Sequence, residues 1–275
     1  MKQFFSILLF LSGCTLAPTK TYMTEDINTQ KLVTVLKKPI NITNETIILD
    51  ARAPFEFAVA HLPQAVNIRS SDFGKDPSAE VRRLALLGIS PQSQVVILGL
   101  GLNGAGEEGH MAWTLLYLGV ENVQTAQADS LGLRYSNLIP PPRANAPTWE
   151  PRLRGSIRAS KQELLRVAMS KFDDRAHILD VRSKKEFFSK NRDLEYEVPD
   201  LRAVNIEWKD FFTQMGRPNL AMRDQLRAVQ INPNDRVIVI SNNGLRSAAT
   251  TYALLSLGYK NAASFAGGYT ELLKK

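Results

Sequence analysis

Asp50-Ala-Arg52-Ala-Pro-Phe-Glu56-Phe57 returns later in the chain as Asp180-Val-Arg182-Ser-Lys-Lys-Glu186-Phe187, with the same charged residues at the same spacing. Other blocks recur in the same order: residues 65–68 as 203–206, residues 95–98 as 237–240, and residues 115–122 as 254–261. A series of matches in one order indicates an internal duplication, in which each copy is one structural unit. The chain is therefore expected to fold as two similar domains.

Each copy alternates short apolar runs with segments of helical periodicity. The apolar runs are residues 46–49, 95–98, 177–179 and 236–240, and the helical segments include residues 31–37, 111–118 and 247–257. Ser160-x-x-Glu163 also predicts a capping box at the start of a helix. This alternation is typical of α/β folds with a mostly parallel sheet flanked by helices. Ligands of such sheets bind beyond the carboxyl ends of the strands, so the turns after Leu98 and Ile240 are the candidate sites.

The composition is that of an ordinary globular protein. The chain has 275 residues, of which 44% are hydrophobic and 22% charged, which suits two domains and excludes a disordered or collagen-like protein. Its net charge is +7, but the basic residues are spread out and lack the dense runs of nucleic-acid arms, so no nucleic-acid partner is predicted. Cys14 is the only cysteine, which excludes an internal disulfide and a cysteine-based zinc site.

The first fourteen residues have the layout of a secretory signal peptide. Lys2 precedes the apolar residues 4–11, and Leu11-Ser12-Gly13-Cys14 follows directly. These four residues resemble the lipobox of bacterial lipoproteins. The resemblance implies that residues 1–13 are removed and that lipid at Cys14 holds the protein on a bacterial membrane, in the cell envelope and facing the periplasm. The outer membrane is the expected location in a Gram-negative host. A buried strand ending in a free cysteine is the alternative.

The rest of the chain divides at a proline-rich stretch. Residues 14–24 are predicted to form a tether, residues 25–139 the first domain and residues 155–275 the second. Residues 140–154 are rich in proline, which favours neither helix nor sheet interior, and they suit a stiff linker.

Taken together, the repeated motifs resemble the rhodanese family of sulfurtransferases in its tandem two-domain form. The resemblance is carried by Asp50-x-Arg52 with Glu56, residues 60–68, Asp180-x-Arg182 with Glu186, and residues 205–208, 241–247 and 266–269. It covers nearly all of residues 25–275 and implies two rhodanese-like α/β domains, each a mostly parallel sheet flanked by helices. The family activity is sulfur transfer through the cysteine of a loop C-x-x-G-x-R.

Both copies depart from the family at that cysteine. Ser241 stands at its position in the second copy and Gly99 in the first, where counting back along the helix puts Glu107 in place of the arginine. The reaction needs a thiolate that accepts a second sulfur as a persulfide, and a serine hydroxyl cannot do this. The resemblance therefore implies a catalytically silent binding or scaffold module. An enzyme of the superfamily with altered chemistry at Ser241 and Arg246 is the alternative.

The loop of the second copy keeps the features of an anion site. Its predicted members are Ser241, Asn242, Asn243, Gly244, Leu245 and Arg246. Backbone amides at a helix start, together with an arginine, suit a small oxyanion such as sulfate or phosphate. The alternative is a degenerate loop in which Arg246 pairs with a neighbouring acid. No cofactor or metal is predicted, and the sequence does not identify the expected protein partner.

Other motifs are interpreted as structural. Residues 99–104 match G-x-G-x-x-G, but no acid ends the next strand, so a flexible glycine loop is favoured over a dinucleotide site. His61 is expected to be structural and His110 to lie on the surface. The Asp-x-Arg motifs at positions 50–52 and 180–182 are expected to form ion pairs at strand ends.

Overall fold

Each repeat forms its own four-stranded parallel sheet, as the duplication predicts. The computed structural model describes residues 23–24, 26–74, 76–138, 143–170, 175–188 and 199–274. The predicted lipid attachment residue, Cys14, and the predicted signal peptide, residues 1–13, lie outside these ranges. Among the described residues no helix is long and apolar enough to cross a membrane.

The first repeat alternates strands with helices. Its strands are β1 Met23–Thr24, β2 Ile47–Asp50, β3 Val66–Asn67, β4 Gln94–Gly99 and β5 Asn122–Gln127. Its helices are α1 Thr29–Lys37, α2 Pro54–Val59, α3 Pro77–Leu86 and α4 Glu107–Tyr117. The predicted strands and helices of this copy are all present, with ends that differ by a few residues.

The second repeat follows the same plan. Its strands are β6 Arg152–Leu153, β7 Ala176–Asp180, β8 Val204–Asn205, β9 Arg236–Ile240 and β10 Ala262–Ser264. Its helices are α5 Lys161–Met169, α6 Lys184–Phe188, α7 Met222–Ala228, α8 Leu245–Ser256 and α9 Gly268–Leu272. Ser160 caps α5 as expected, because its hydroxyl accepts the N–H of Glu163 at 3.1 Å. The Glu163 carboxylate, however, binds the guanidinium of Arg236.

The two sheets have the same topology. Their strand orders are β3-β2-β4-β5 and β8-β7-β9-β10, and every neighbouring pair is parallel. In the central pairs Asp50 lies opposite Leu98, and Asp180 lies opposite Ile240. Each Asp-x-Arg motif therefore starts beside the turn that follows the neighbouring central strand, at the sheet edge where ligands of parallel sheets bind.

The repeats pack against each other through α4 and α8. One hydrophobic cluster contains side chains of both helices, including Leu115 and Leu116 from α4 and Tyr252 from α8. The two backbones approach closely, since a Cβ added to Gly109 would lie 2.7 Å from the Cβ of Ala249. The cores of the two repeats are thus joined at this helix pair.

A two-stranded pairing joins the start of the first repeat to the segment before the second. Met23 and Thr24, at the end of the predicted tether, pair in parallel with Arg152 and Leu153. Residues 152–153 belong to the predicted linker, of which residues 139–142 lie outside the described residues. The proposed domain boundaries remain a prediction.

Candidate functional site

The Asp-x-Arg motif of the second repeat forms a buried ion pair, as expected. Both oxygens of the Asp180 carboxylate bind Arg182, with the shortest N–O distance 2.7 Å. Asn205 on β8 donates to the backbone carbonyls of Asp180 and Arg182. Tyr269 donates its hydroxyl proton to Asp180 at 3.0 Å, and its ring lies 4.1 Å below the guanidinium of Arg182. The first repeat repeats the ion pair with Asp50 and Arg52.

The turn between β9 and α8 is closed by glycine. Gly244 has φ +89° and precedes the first residue of α8. A Cβ at this position would lie 1.6 Å from the carbonyl oxygen of Ala266. The backbone of residues 241–244 is therefore packed against the segment that follows β10, and only glycine fits at position 244.

Ser241, the residue that follows β9, is completely buried. Its hydroxyl oxygen accepts the backbone N–H of Ser247 at 3.1 Å, across the first turn of α8. The three histidines make their contacts elsewhere: His61 with the carbonyls of Phe57 and Leu138, His177 with Asp235, and His110 on α4. A serine nucleophile needs a base within hydrogen-bond reach. Among the described residues, no such base lies within hydrogen-bond reach of the Ser241 hydroxyl. Altered chemistry at Ser241 and Arg246 remains a prediction.

Arg246, the predicted cation of the anion site, is bound to a carboxylate of the chain itself. Its two terminal nitrogens each donate to one oxygen of Glu186 at 2.8 Å, and Asn242 donates to the same carboxylate at 2.9 Å. Ser183 adds its hydroxyl and its backbone N–H. The bond from Arg246, followed by those from Ser183, holds the pKa of Glu186 well below its usual range, against the opposing effect of burial.

The structure thus contains the alternative arrangement, in which Arg246 pairs with an acid. Glu186 lies in the repeated block that decides the fold, and its counterpart Glu56 accepts the N–H of Ala53 in the same way as Glu186 accepts that of Ser183. A sulfate or phosphate ion at the predicted loop would therefore have to compete with Glu186 for the guanidinium of Arg246. Oxyanion binding at residues 241–246 remains a prediction.

In the first repeat, Glu108 and not Glu107 occupies the position of Arg246. Gly106 with φ +97° precedes α4 as Gly244 precedes α8, and Glu108 is the second residue of its helix, as Arg246 is of its own. The expectation of Glu107 was wrong because α8 is one residue longer than α4, so counting back from the helix end shifts the match by one. The Glu107 carboxylate instead accepts the N–H of Ala105 at 2.9 Å.

The carboxyl group of Glu108 fills the space beside Gly99. A Cβ on Gly99 would lie 2.1 Å from Oε2 of Glu108, and this oxygen is buried without a hydrogen-bond partner. The pKa of Glu108 is raised to about 7, chiefly by burial and to a smaller extent by the neighbouring Glu107, while hydrogen bonds from the backbone N–H groups of Glu108 and Gly101 partly oppose the shift. Two acids in the first turn of α4 also disfavour a phosphate at the G-x-G-x-x-G loop, since a phosphate would be repelled there.

Matching the two repeats by sequence missed Glu108 as the counterpart of Arg246 and did not foresee the burial of the His110 ring nitrogen. His110 is half-buried and not an ordinary surface residue: its Nδ1 is buried without a partner, and burial lowers its pKa to about 4. The signal that could have found both is the helix-start glycine, Gly106, from which α4 can be counted forward. His61 is structural, as expected: its ring nitrogens lie 2.8 and 2.9 Å from two backbone carbonyls.

Comparison with known proteins agrees with this fold. The family model described as "Rhodanese-like domain" matches residues 32–126 and 163–275. No curated protein has a significant match to the chain.

Solved structures of three proteins are similar over most of the chain. The structure of YnjE superposes with a TM-score of 0.69 at 17% identity, covering 90% of this chain and 65% of that one. SseA from Escherichia coli, a 3-mercaptopyruvate sulfotransferase, gives 0.66 at 17% identity, covering 90% and 99%. EanB in complex with ergothioneine gives 0.67 at 16% identity, covering 88% and 65%. The chain thus spans less than two thirds of YnjE and EanB, and at these identities the likeness shows the fold alone.

Proposed function

This chain belongs to the family of proteins with rhodanese-like domains, and from that premise we propose that it is a catalytically silent member that works as a binding or scaffold module. The observation that carries the proposal is the buried Ser241, whose hydroxyl is held by the N–H of Ser247 at the start of α8. At the corresponding place in the first repeat, Gly99 has no side chain, and the carboxyl of Glu108 lies against it.

Neither domain has a thiol that could carry sulfur. A persulfide forms only on a sulfur, and a helix N-terminus with a nearby cation serves to make the attacking thiolate acidic. Here the helix N-terminus is used to hold a neutral hydroxyl, and the cation is neutralised by Glu186. Cys14 is outside both family matches and is the predicted lipid attachment residue, so it does not replace the missing thiol.

Absence of sulfur transfer is tested directly. The full chain should transfer no sulfur from thiosulfate to cyanide above a blank without protein, with an active tandem rhodanese as the positive control. Turnover clearly above the blank, which persists in a Cys14→Ser variant, would contradict the proposal, because the reaction would then proceed without any thiol in the chain.

We propose that residues 241–246 bind an oxyanion, which competes with Glu186 for the guanidinium of Arg246. The N–H groups of Leu245 and Ser247 are already bonded to Asn243 and Ser241. An oxyanion would therefore bind the remaining loop N–H groups and Arg246, whose charge-assisted bonds are each about twice as strong as neutral ones. If a sulfate ion takes the place of the Glu186 carboxylate, removal of that competing charge should strengthen sulfate binding. The same loop would then recognise an anionic group of a partner.

Three variants separate an oxyanion site from a closed ion pair. Sulfate should raise the melting temperature of the full chain, Glu186→Gln should increase this response, and Arg246→Ala should remove most of it. Arg166→Ala, an exposed arginine on α5, serves as the matched control for general salt effects. Equal responses of wild type, Glu186→Gln and Arg246→Ala would show that the loop binds no oxyanion, and partner binding would then use another surface.

Anchoring in the bacterial envelope is part of the same proposal. It rests on residues 1–14, whose order of a lysine, an apolar run and Leu-Ser-Gly-Cys resembles a lipoprotein signal. More than one acyl chain on Cys14 would give stable membrane attachment. Metabolic labelling with a fatty acid should tag the full-length protein, and Cys14→Ser should abolish the label and release the protein from membranes. Fatty-acid label that is retained in Cys14→Ser would refute lipid attachment at Cys14.

A further inference from the structure

A cleft lies between the repeats, beside the segment that packs against residues 241–244. It has a volume of about 280 Å³ and is bounded by α4 of the first repeat and by the segment between β10 and α9 of the second. We name it the α4 cleft, and the lining residues used below are His110, Trp113, Tyr117, Arg158, Gly267 and Glu271. This volume is just below the range for small-molecule sites, about 300–1,000 Å³, and suits a metabolite smaller than a nucleotide.

One wall of the α4 cleft is built from flat rings on a single helix face. His110, Trp113 and Tyr117 are spaced i, i+3, i+7 along α4, and their ring planes are nearly parallel. The ring centroids of His110 and Trp113 are 6.2 Å apart with an angle of 11°, and those of Trp113 and Tyr117 are 5.5 Å apart with an angle of 9°.

The ring wall is held rigidly. The indole N–H of Trp113 donates to the carbonyl of Ile157, in the segment before α5, at 3.1 Å. Gly267, which has no side chain, lines the same cleft. Because the three rings stack on one another and Trp113 is only 5% exposed, the wall presents ring edges to the cleft, and the face of a planar group can pack against those edges.

Two opposite charges line the same cleft without neutralising each other. Arg158 and Glu271 are both exposed, and neither has an ion-pair partner among the residues that the structure describes. The carboxylate of Glu271 lies over Gly267, since a Cβ on that glycine would be 1.8 Å from its Oε2. Burial lowers the pKa of His110 to about 4, so its ring is neutral at pH 7 and Arg158 is the cation here.

Glu80 also lines the cleft, but its carboxylate has an internal role. It accepts the backbone N–H groups of Gly74 and Asp76 and so holds the segment before α3. Glu271 is therefore the carboxylate that we assign to a ligand.

We propose that the α4 cleft binds a small zwitterion with a flat ring, of the class of the aromatic amino acids. The face of the ligand ring packs against the edges of the Trp113 and Tyr117 rings, the ammonium group binds Glu271, and the carboxylate binds Arg158. A ligand with both charges satisfies both side chains, whereas a ligand with one charge leaves the other without a partner. This inference does not depend on the proposed silence of Ser241 or on oxyanion binding at Arg246.

Three related probes test the assignment by isothermal titration of the full chain. L-Tryptophan carries both charges, tryptamine only the ammonium and indole-3-propionate only the carboxylate. L-Tryptophan should bind, and each analogue should bind about tenfold more weakly. Arg158→Gln should weaken L-tryptophan about tenfold and leave tryptamine unchanged, and Glu271→Gln should weaken L-tryptophan similarly and leave indole-3-propionate unchanged.

Matched controls are the exposed residues Arg166 and Glu45, whose glutamine variants should bind L-tryptophan like wild type. The melting temperature of each variant verifies that it is folded. Absence of L-tryptophan binding up to its solubility limit would overturn the proposal. Equal binding of the three probes, or equal loss of all three in Arg158→Gln, would overturn it as well, because neither result requires a site that recognises two charges.

Discussion

Glu108→Gln should make the stability of this protein depend differently on pH. In the folded chain burial raises the pKa of Glu108 from 4.5 to about 7, so folding favours the neutral acid. Below pH 4.5 the group is neutral in both the folded and unfolded states and has no pH-linked effect on stability. As the pH rises from 4.5 to about 7, the unfolded state releases its proton while the folded state keeps it, so the folded state loses stability.

The magnitude follows from the size of the shift. Each pKa unit corresponds to about 1.36 kcal/mol, so a rise from 4.5 to about 7 lowers the free energy of unfolding by about 3 kcal/mol at high pH. Glutamine keeps the shape of the side chain and has no charge. Its buried amide adds an offset that does not vary with pH, because an unpaired polar group costs the same at each pH. The free energy of unfolding of Glu108→Gln, relative to that of wild type, should therefore rise by about 3 kcal/mol between pH 4.5 and about 8.5.

The difference between variant and wild type is the quantity to measure. His110 acts in the opposite direction, since its pKa is lowered to about 4 and its contribution is lost as the pH falls below 6.5. The wild-type curve mixes both effects, but His110 cancels when Glu108→Gln is compared with wild type. Urea unfolding followed by tryptophan fluorescence at several pH values gives the required free energies.

Glu107→Gln is the matched control, because Glu107 is an acid in the same helix turn and is less buried than Glu108. Its difference from wild type should change by less than about 1 kcal/mol over the same range. A difference for Glu108→Gln that stays constant with pH would refute the reasoning, since it would mean that the buried carboxyl titrates at its ordinary pKa.

Three further predictions concern groups that the fold buries or pairs. His110→Gln should gain stability over wild type as the pH falls from 6.5 towards 4, measured by urea unfolding, because the pKa of His110 is lowered by burial. Gly244→Ala should destabilise the second repeat by at least about 3 kcal/mol in the same assay, since its φ is +89° and the new Cβ would meet the carbonyl of Ala266; a loss below about 1 kcal/mol would contradict this. Arg246→Ala should lower stability at pH 7 by about 1 kcal/mol. The loss should shrink as the pH falls below 4.5, because the unfolded chain then binds a proton at Glu186 while the folded wild type keeps this carboxylate ionised; a loss that is the same at low pH would argue against the pair.

Much of the fold was predictable because its signals are local. The repeated blocks indicated a duplication, and the apolar runs before Asp50 and Asp180 predicted buried central strands. These predictions hold because a strand buried on both faces needs continuous apolar residues, whatever its neighbours are. The Asp-x-Arg ion pairs were also predictable, since partners two residues apart at a strand end can meet without help from the rest of the chain.

The absence of a reactive thiol in both loops follows from the sequence alone, because it depends on which atoms are present and not on their arrangement. Ser241 and Gly99 have no sulfur in any conformation. The chemical class of the first repeat's loop was also visible, since an acid replaces a cation there. The exact residue that matches Arg246 could not be predicted, because α4 and α8 differ in length by one residue.

Tertiary structure alone decided which charges meet and which groups lose water. Arg246 forms an ion pair with Glu186 because the parallel register of β7 and β9 brings the loops that follow these strands to one edge of the sheet. Glu108 is buried because α4 packs over the turn that follows β4, where its carboxyl lies beside Gly99, and no local pattern in α4 contains that partner. A sequence pattern reports the preference of each segment for burial, whereas the pairing of charges depends on distances between segments that are set only when the two sheets and the helix pair have assembled.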